Sequence, residues 1–90
     1  MADIVLSSSL ARYANNNKKI HCSGETLSDV LSILCKTYKE LGKFIYASPS
    51  ELHPFINIFI DNKNAKDLLG LNTPLEKNNI VRILPGISGG

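Results

Sequence analysis

The chain has 90 residues, 43% hydrophobic and 20% charged, a balance that suits one soluble globular domain and does not suggest a disordered chain. Ten Lys and Arg against eight Asp and Glu leave a formal net charge of +2, with the lysines dispersed, so no nucleic-acid partner is expected. No apolar stretch nears the ~20 residues of a membrane span, and Met1-Ala2-Asp3 lacks the basic and apolar regions of a secretory signal, so no membrane partner and a cytoplasmic location are expected.

In chain order, Asp3 to Leu10 places Ile4, Leu6 and Leu10 on one face at period two, with Asp3, Ser7 and Ser9 mostly opposite, which predicts a half-buried strand. Asn15-Asn16-Asn17 is a polar turn in which asparagine tolerates left-handed backbone, and Lys18 to Ser23 returns as the second strand of an antiparallel hairpin. Gly24-Glu25-Thr26 opens the main helix. Thr26 is a good N-cap, Asp29 stands where a capping box needs an acceptor, and Leu27, Val30, Leu31, Leu34, Cys35, Tyr38 and Leu41 form one continuous apolar face. Glu25 and Asp29 suit the positive end of the helix dipole, Lys36 and Lys39 the negative end, and Gly42 is placed to terminate the helix.

Lys43 to Pro54 reads as a connection with one extra helical turn, because Ser48-Pro49-Ser50 and His53-Pro54 are loop signals. Phe55 to Ile60 is apolar on both faces except at Asn57, as expected of a central strand. Asp61 to Asn64 is turn chemistry, and Ala65 to Leu69 fits a short strand or a helical turn. Leu71 to Leu75 is a packed irregular loop, and Lys77-Asn78-Asn79 turns into a final strand, Ile80 to Leu84, closed by Pro85. There is no internal repeat or linker.

This order predicts an α+β fold, a β-grasp (ubiquitin-like) roll in which one main helix crosses one face of a mixed sheet of four to five strands. A ferredoxin-like or other small α+β sandwich is the alternative. Residues 1–85 form the domain and 86–90 a flexible tail. That tail, Gly86-Ile87-Ser88-Gly89-Gly90, has little to pack into a core, yet glycines without a Cβ let main chain pass a channel too narrow for side chains. A free carboxylate on Gly90 is an unhindered nucleophile, able to attack the α-phosphate of ATP and form an acyl-adenylate. The bland reading is a frayed terminus.

Elsewhere the titratable groups point to no catalysis of the chain's own: no paired carboxylates, nucleophile with base, or phosphate-binding glycine loop is visible. Cys22 and Cys35 are expected to be reduced thiols, Cys35 a small hydrophobe on the helix stripe. With His21 and His53 they match no zinc spacing, so no metal is expected.

Three stretches carry a family resemblance: Gly24-Glu25-Thr26-Leu27; Phe55-Ile56-Asn57-Ile58-Phe59-Ile60-Asp61-Asn62; and, most specific, Val81-Arg82-Ile83-Leu84-Pro85 followed after three residues by Gly89-Gly90. With them the whole chain resembles the small ubiquitin-like sulfur carriers, which include the molybdopterin-synthase small subunit, the thiamine-pathway carrier and the carrier that feeds a cysteine synthase. Leu52-His53-x-Phe55 looks nearest to the last of these. Lys77-Asn78-Asn79 departs from the family's frequent Asp-Gly-Asp turn, which weakens the assignment to a branch more than to the family.

The resemblance implies that a ubiquitin-activating-type adenylating and sulfurtransferase enzyme uses ATP to activate Gly90, and that the resulting thiocarboxylate gives sulfur to an acceptor, a cysteine synthase or the molybdopterin-synthase large subunit. The chain itself would bind no cofactor and act as a recyclable cosubstrate. Gly89 would enter the activating enzyme's channel, Pro85 to Ser88 would set the reach, and the exposed sheet face would dock on the enzyme. Phe59 or Phe55, whichever faces outward, and Arg82 are the candidate contacts, against the plainer readings of core packing and a solvated strand residue. Two other classes stay open: a modifier joined through Gly90 to lysines, and a non-covalent interaction module.

Overall fold

The first strand, β1 (Ala2–Leu6), alternates as its sequence does, with Ala2, Ile4 and Leu6 buried and Asp3 and Val5 half-buried on the opposite face. The structure is a computed structural model that describes residues 2–86. β1 pairs antiparallel with β2 (Lys19–Cys22), Ile4 opposite Ile20 and Val5 opposite Lys19, which is the expected hairpin.

The strand expected over 3–10 stops at Leu6. Ser7 accepts a hydrogen bond from the Leu10 amide at 3.4 Å and caps α1 (Ser8–Ala11), a single turn continued by a 3-10 turn at Arg12–Ala14. A serine hydroxyl that bonds local backbone favours such a cap over a sheet ladder. Leu10 therefore enters the core from a helix, having satisfied both the period-two and the helical pattern over so short a window. Asn15 and Asn16 then take left-handed backbone, with φ of 56° and 63°, and reverse the chain.

The main helix is α2 (Leu27–Thr37), opened by a complete capping box: Thr26 Oγ1 accepts from the Asp29 amide at 3.2 Å and Asp29 Oδ2 accepts from the Thr26 amide at 3.1 Å. The helix expected to run on to Gly42 breaks at Tyr38 (φ −123°, ψ 86°) and resumes as α3 (Lys39–Ile45). Gly42 is inside α3 rather than at its end. A Cβ there would lie 3.1 Å from Cys35 Cβ, so the glycine lets α3 fold back closely on α2. Lys39 consequently stands in the first turn of a helix, not the last. The apolar pattern ran through the break because Leu41 and Ile45 bury in the same core as Leu31 and Leu34.

The stretch read as a connection also contains a small hairpin, β3 (Tyr46–Ser48) with β4 (Glu51–Leu52), apart from the main sheet. β5 (Ile56–Ile60) and β6 (Lys63–Asn64) turn about Asp61, whose φ is 57°, and a 3-10 turn at Ala65–Asp67 comes next. The loop before the last strand is packed as expected: Leu27 donates to the Thr73 carbonyl at 2.9 Å and Leu75 to that of Glu25 at 2.8 Å, tying it to the start of α2.

The last strand, β7 (Ile80–Pro85), completes a sheet ordered β2-β1-β7-β5-β6. β7 runs parallel to β1 and antiparallel to β5. This is the β-grasp arrangement, a mixed five-stranded sheet with α2 across one face, and it sets aside the ferredoxin-like alternative. Phe55 to Ile60 gives an interior strand, as expected, paired with β7 on one side and β6 on the other, but the expectation that it is buried on both faces is corrected. The centre is β7, with Val81 and Ile83 fully buried, whereas β5 buries only Ile56, Ile58 and Ile60. Asn57 and Phe59 face outward, so an apolar strand here is not buried on both faces.

The start of α2 is the place to test this packing. Replacing Thr26 with Ala removes one half of the capping box and is expected to cost about 1 kcal/mol, lowering Tm by about 4–8 °C. Gly24→Ala places a methyl 2.8 Å from Asp29 Cβ and 2.9 Å from Val30 Cγ1 and is expected to cost about 1–3 kcal/mol. Thermal unfolding followed by circular dichroism reads both.

Candidate functional site

β7 is held at both ends, and its far end is where the tail begins. At the start, the Asp61 carboxylate accepts from the Ile80 amide at 3.0 Å and from Asn79 Nδ2 at 2.8 Å, while the Asp61 amide donates to the Ile80 carbonyl at 2.8 Å. Asn79 Oδ1 in turn accepts from the Glu76 amide and shapes the Lys77-Asn78-Asn79 turn. At the other end Pro85 stands opposite Ile56, and the Gly86 amide donates to the Phe55 carbonyl. The strand thus includes Pro85, one residue beyond its expected end, and Gly86 is still tied to the sheet. Ser88, Gly89 and Gly90, the residues expected to thread and to react, lie outside the described residues.

The outer face of the sheet assembles beside this exit. Arg82 is exposed and stands opposite Val5 on β1 and Phe59 on β5, with Leu84 opposite Asn57 one row nearer the tail. Phe59 and Arg82, singled out separately in the sequence, are therefore cross-strand neighbours. Both expected contacts of the phenylalanine pair are outside the core: Phe59 is half-buried on the outer face, and Phe55, just before β5, is 58% exposed with its ring 5.3 Å from that of His53. Val5 and Leu84 were not singled out in the sequence, though the alternation of Arg82 and Leu84 with buried Val81 and Ile83 was the available signal. The result is a face on which Arg82 stands among the apolar side chains of Val5, Phe59 and Leu84, with a second cation, Lys19, across β1 from it. At its β2 edge His21 Nδ1 lies 2.7 Å from Asp3 Oδ1 and Lys19 Nζ 3.6 Å from Asp3 Oδ2. The hydrogen bond with His21, aided by Lys19, holds the Asp3 carboxyl below its usual value.

Both cysteines are free thiols; burial raises Cys22 and pushes Cys35 up to about 11. Among the described residues no three His, Cys, Asp or Glu come together as a metal site, and no helix is long and apolar enough to cross a membrane.

A β-grasp platform whose central strand ends at an open sheet face and leads into a Gly-Gly sequence has the arrangement of a ubiquitin-like carrier. The chain belongs to the ThiS family, which it matches over residues 4–90, and is a homologue of the sulfur carrier proteins. The sulfur carrier protein CysO of Mycobacterium tuberculosis is 31% identical over 83 residues, which cover 90% of this chain and 89% of that one. Its crystal structure superposes with a TM-score of 0.87 at 27% identity, covering 97% of this chain and 100% of that one. The solution structure of small archaeal modifier protein 1 (SAMP1) from Methanosarcina acetivorans gives a TM-score of 0.87 at 33% identity, covering 99% and 95%. The crystal structure of the Amycolatopsis orientalis BexX/CysO complex shares the fold, with a TM-score of 0.88 at 18% identity and full coverage of both chains.

The buried thiol offers a direct test. With Cys35 pushed up to about 11 from 9.0, little of it is thiolate at pH 8, and its alkylation by iodoacetamide is expected to be about tenfold or more slower in the folded chain than in the chain unfolded by denaturant. Peptide mapping of a time course measures this.

Proposed function

We propose that the protein is a recyclable sulfur carrier whose reactive group is the carboxylate of Gly90. An activating enzyme of the ubiquitin-activating type would supply ATP. One carboxylate oxygen forms a bond to the α-phosphorus, and the bond from that phosphorus to pyrophosphate breaks. A sulfur nucleophile then adds to the acyl carbon and AMP leaves. With hydrosulfide the product is the thiocarboxylate directly; with an enzyme persulfide it is an acyl disulfide, and a second enzyme thiol attacks its enzyme-side sulfur, breaking the S–S bond to release the thiocarboxylate and leave an enzyme disulfide. The thiocarboxylate sulfur then displaces the leaving group of an activated acceptor to give a thioester, and water cleaves its acyl–sulfur bond, releasing the sulfur with the acceptor and restoring the Gly90 carboxylate.

The observation that carries this reading is the family match through residue 90, together with relatives named sulfur carriers over nine-tenths of the chain. The described residues fit it in physical terms. The rigid centre strand leads to the tail, Pro85 and Gly86 fix its root, and glycine at position 89 allows passage through a narrow channel. On this reading Phe59, Arg82 and Leu84 dock on the activating enzyme, apolar side chains supplying contact area and Arg82 register. A partner enzyme is in keeping with the CysO of the BexX complex, and a cysteine synthase is the acceptor to which the resemblance at Leu52-His53-x-Phe55 leads first. The molybdopterin-synthase large subunit is the other.

A second reading is favoured by the likeness to SAMP1, a modifier by name: Gly90 joined through an amide to lysines of other proteins. The two share the adenylate and differ in the nucleophile that opens it.

Three variants assayed in cells separate these. Loss of Gly90, or one added residue after it that resists trimming, is expected to abolish sulfur delivery while the fold melts unchanged. Loss of covalent conjugates with sulfur delivery intact would replace the carrier by the modifier, and no effect of either variant would contradict both. Arg82→Glu, on the exposed face, is expected to weaken activation by about tenfold or more, raising the activating enzyme's KM for the carrier without lowering Tm.

A further inference from the structure

The helical side of the domain carries a second recognition feature, a cleft of about 490 Å3 between α2, α3 and the β3–β4 hairpin. Gly42 lets α3 pack closely against α2 beside it, and half-buried Cys35 and Tyr46 line this open depression together with Ser28, Ser32, Ser48 and Pro49. Lys36, Lys39 and Lys43 line its rim, three of the chain's ten basic residues, and no Asp or Glu among the described residues lines it. Glu40 pairs with Lys43 at 3.2 Å but is not part of the lining. The small net charge of +2 is thus spread unevenly, with three lysines gathered around half-buried Cys35 and Tyr46.

The chemistry of that arrangement favours a peptide over a small anion. A phosphate-sized ion is held best by fixed, convergent donors such as backbone amides, whereas these ammonium groups are exposed on long flexible stems, 71% so for the Lys43 side chain. Each exposed pair with a single carboxylate contributes little. An extended segment with several carboxylates engages the three together, and an aliphatic side chain among them reaches Cys35 and Tyr46. We propose that this cleft docks an acidic segment of a partner protein that carries an apolar anchor residue. The helices cover the inner face of the sheet, so this surface is remote from the outer face around Arg82, and a partner seated here leaves that face open. The proposal stands apart from the chemistry of Gly90.

The test is a titration of the isotope-labelled full chain, followed by amide NMR, with a synthetic peptide of six glutamates around one leucine. Shifts are expected to cluster at Ser32, Cys35, Lys36, Lys39, Lys43, Tyr46 and Ser48. Lys36→Glu combined with Lys39→Glu, both exposed, is expected to weaken binding at least tenfold without changing the melting temperature, and added salt to weaken it further. Shifts scattered over Lys18, Lys63, Lys66 and Lys77, or no loss in the double variant, would overturn the proposal. So would inorganic phosphate producing the same clustered shifts at the peptide's concentration, which would make the cleft a small-anion site.

Discussion

The parallel pairing of β7 with β1 is the constraint on which the rest depends. It inserts the last strand into the middle of the sheet, burying Val81 and Ile83 completely, so its direction and register are set by core contacts on one face and hydrogen bonds along both edges. Because β7 is central, its alternate residues Arg82 and Leu84 necessarily emerge in the middle of the outer face. Its end at Pro85 is likewise fixed relative to Phe55 and Phe59. Arg82, Leu84 and the strand's end at Pro85 are therefore fixed together on one strand.

The helices make that face available. α2 and α3 together supply Leu27, Val30, Leu31, Leu34, Leu41 and Ile45 to one side of the sheet, and no element among the described residues packs over Arg82 on the other. Burying each such leucine or isoleucine contributes about 1.5–3 kcal/mol relative to exposure, which explains how 90 residues hold a sheet open to solvent on one face. The tie from Asp61 to Ile80 and Asn79 adds a local fastening. It keeps the polar Lys77-Asn78-Asn79 turn from loosening the entry to β7.

The features legible in the sequence are the local ones. The Thr26–Asp29 capping box is a matter of residues three apart, and the outward direction of Arg82 follows from its buried neighbours Val81 and Ile83. The family resemblance rested on motifs that are likewise short. The features that escaped depend on competing local patterns or on distant partners. Ser7 capping a turn looks like a strand continuing, because Leu10 fits both periods. The break at Tyr38 is hidden because both halves of the apolar stripe face one core. The central place of β7 needs Asp3 to meet Ile80 from opposite ends of the chain, and the double anchoring by Asp61 needs a different pairing, that of β5 with β7, across 19 residues. In the candidate site, Phe59 and Arg82 were each visible, but their adjacency and the contributions of Val5 and Leu84 were properties of the sheet.

The central claim is chemical: the main-chain acid at Gly90 is loaded with sulfur by another protein while the β-grasp body stays intact. Intact-mass spectrometry after incubation with the cognate activating enzyme, ATP and a sulfur source measures it directly. The account predicts that one oxygen is replaced by sulfur, that the change maps to the peptide ending in Gly90, and that it requires ATP. An unaltered mass in the complete, active reaction, or sulfur appearing instead on Cys22 or Cys35, would contradict it.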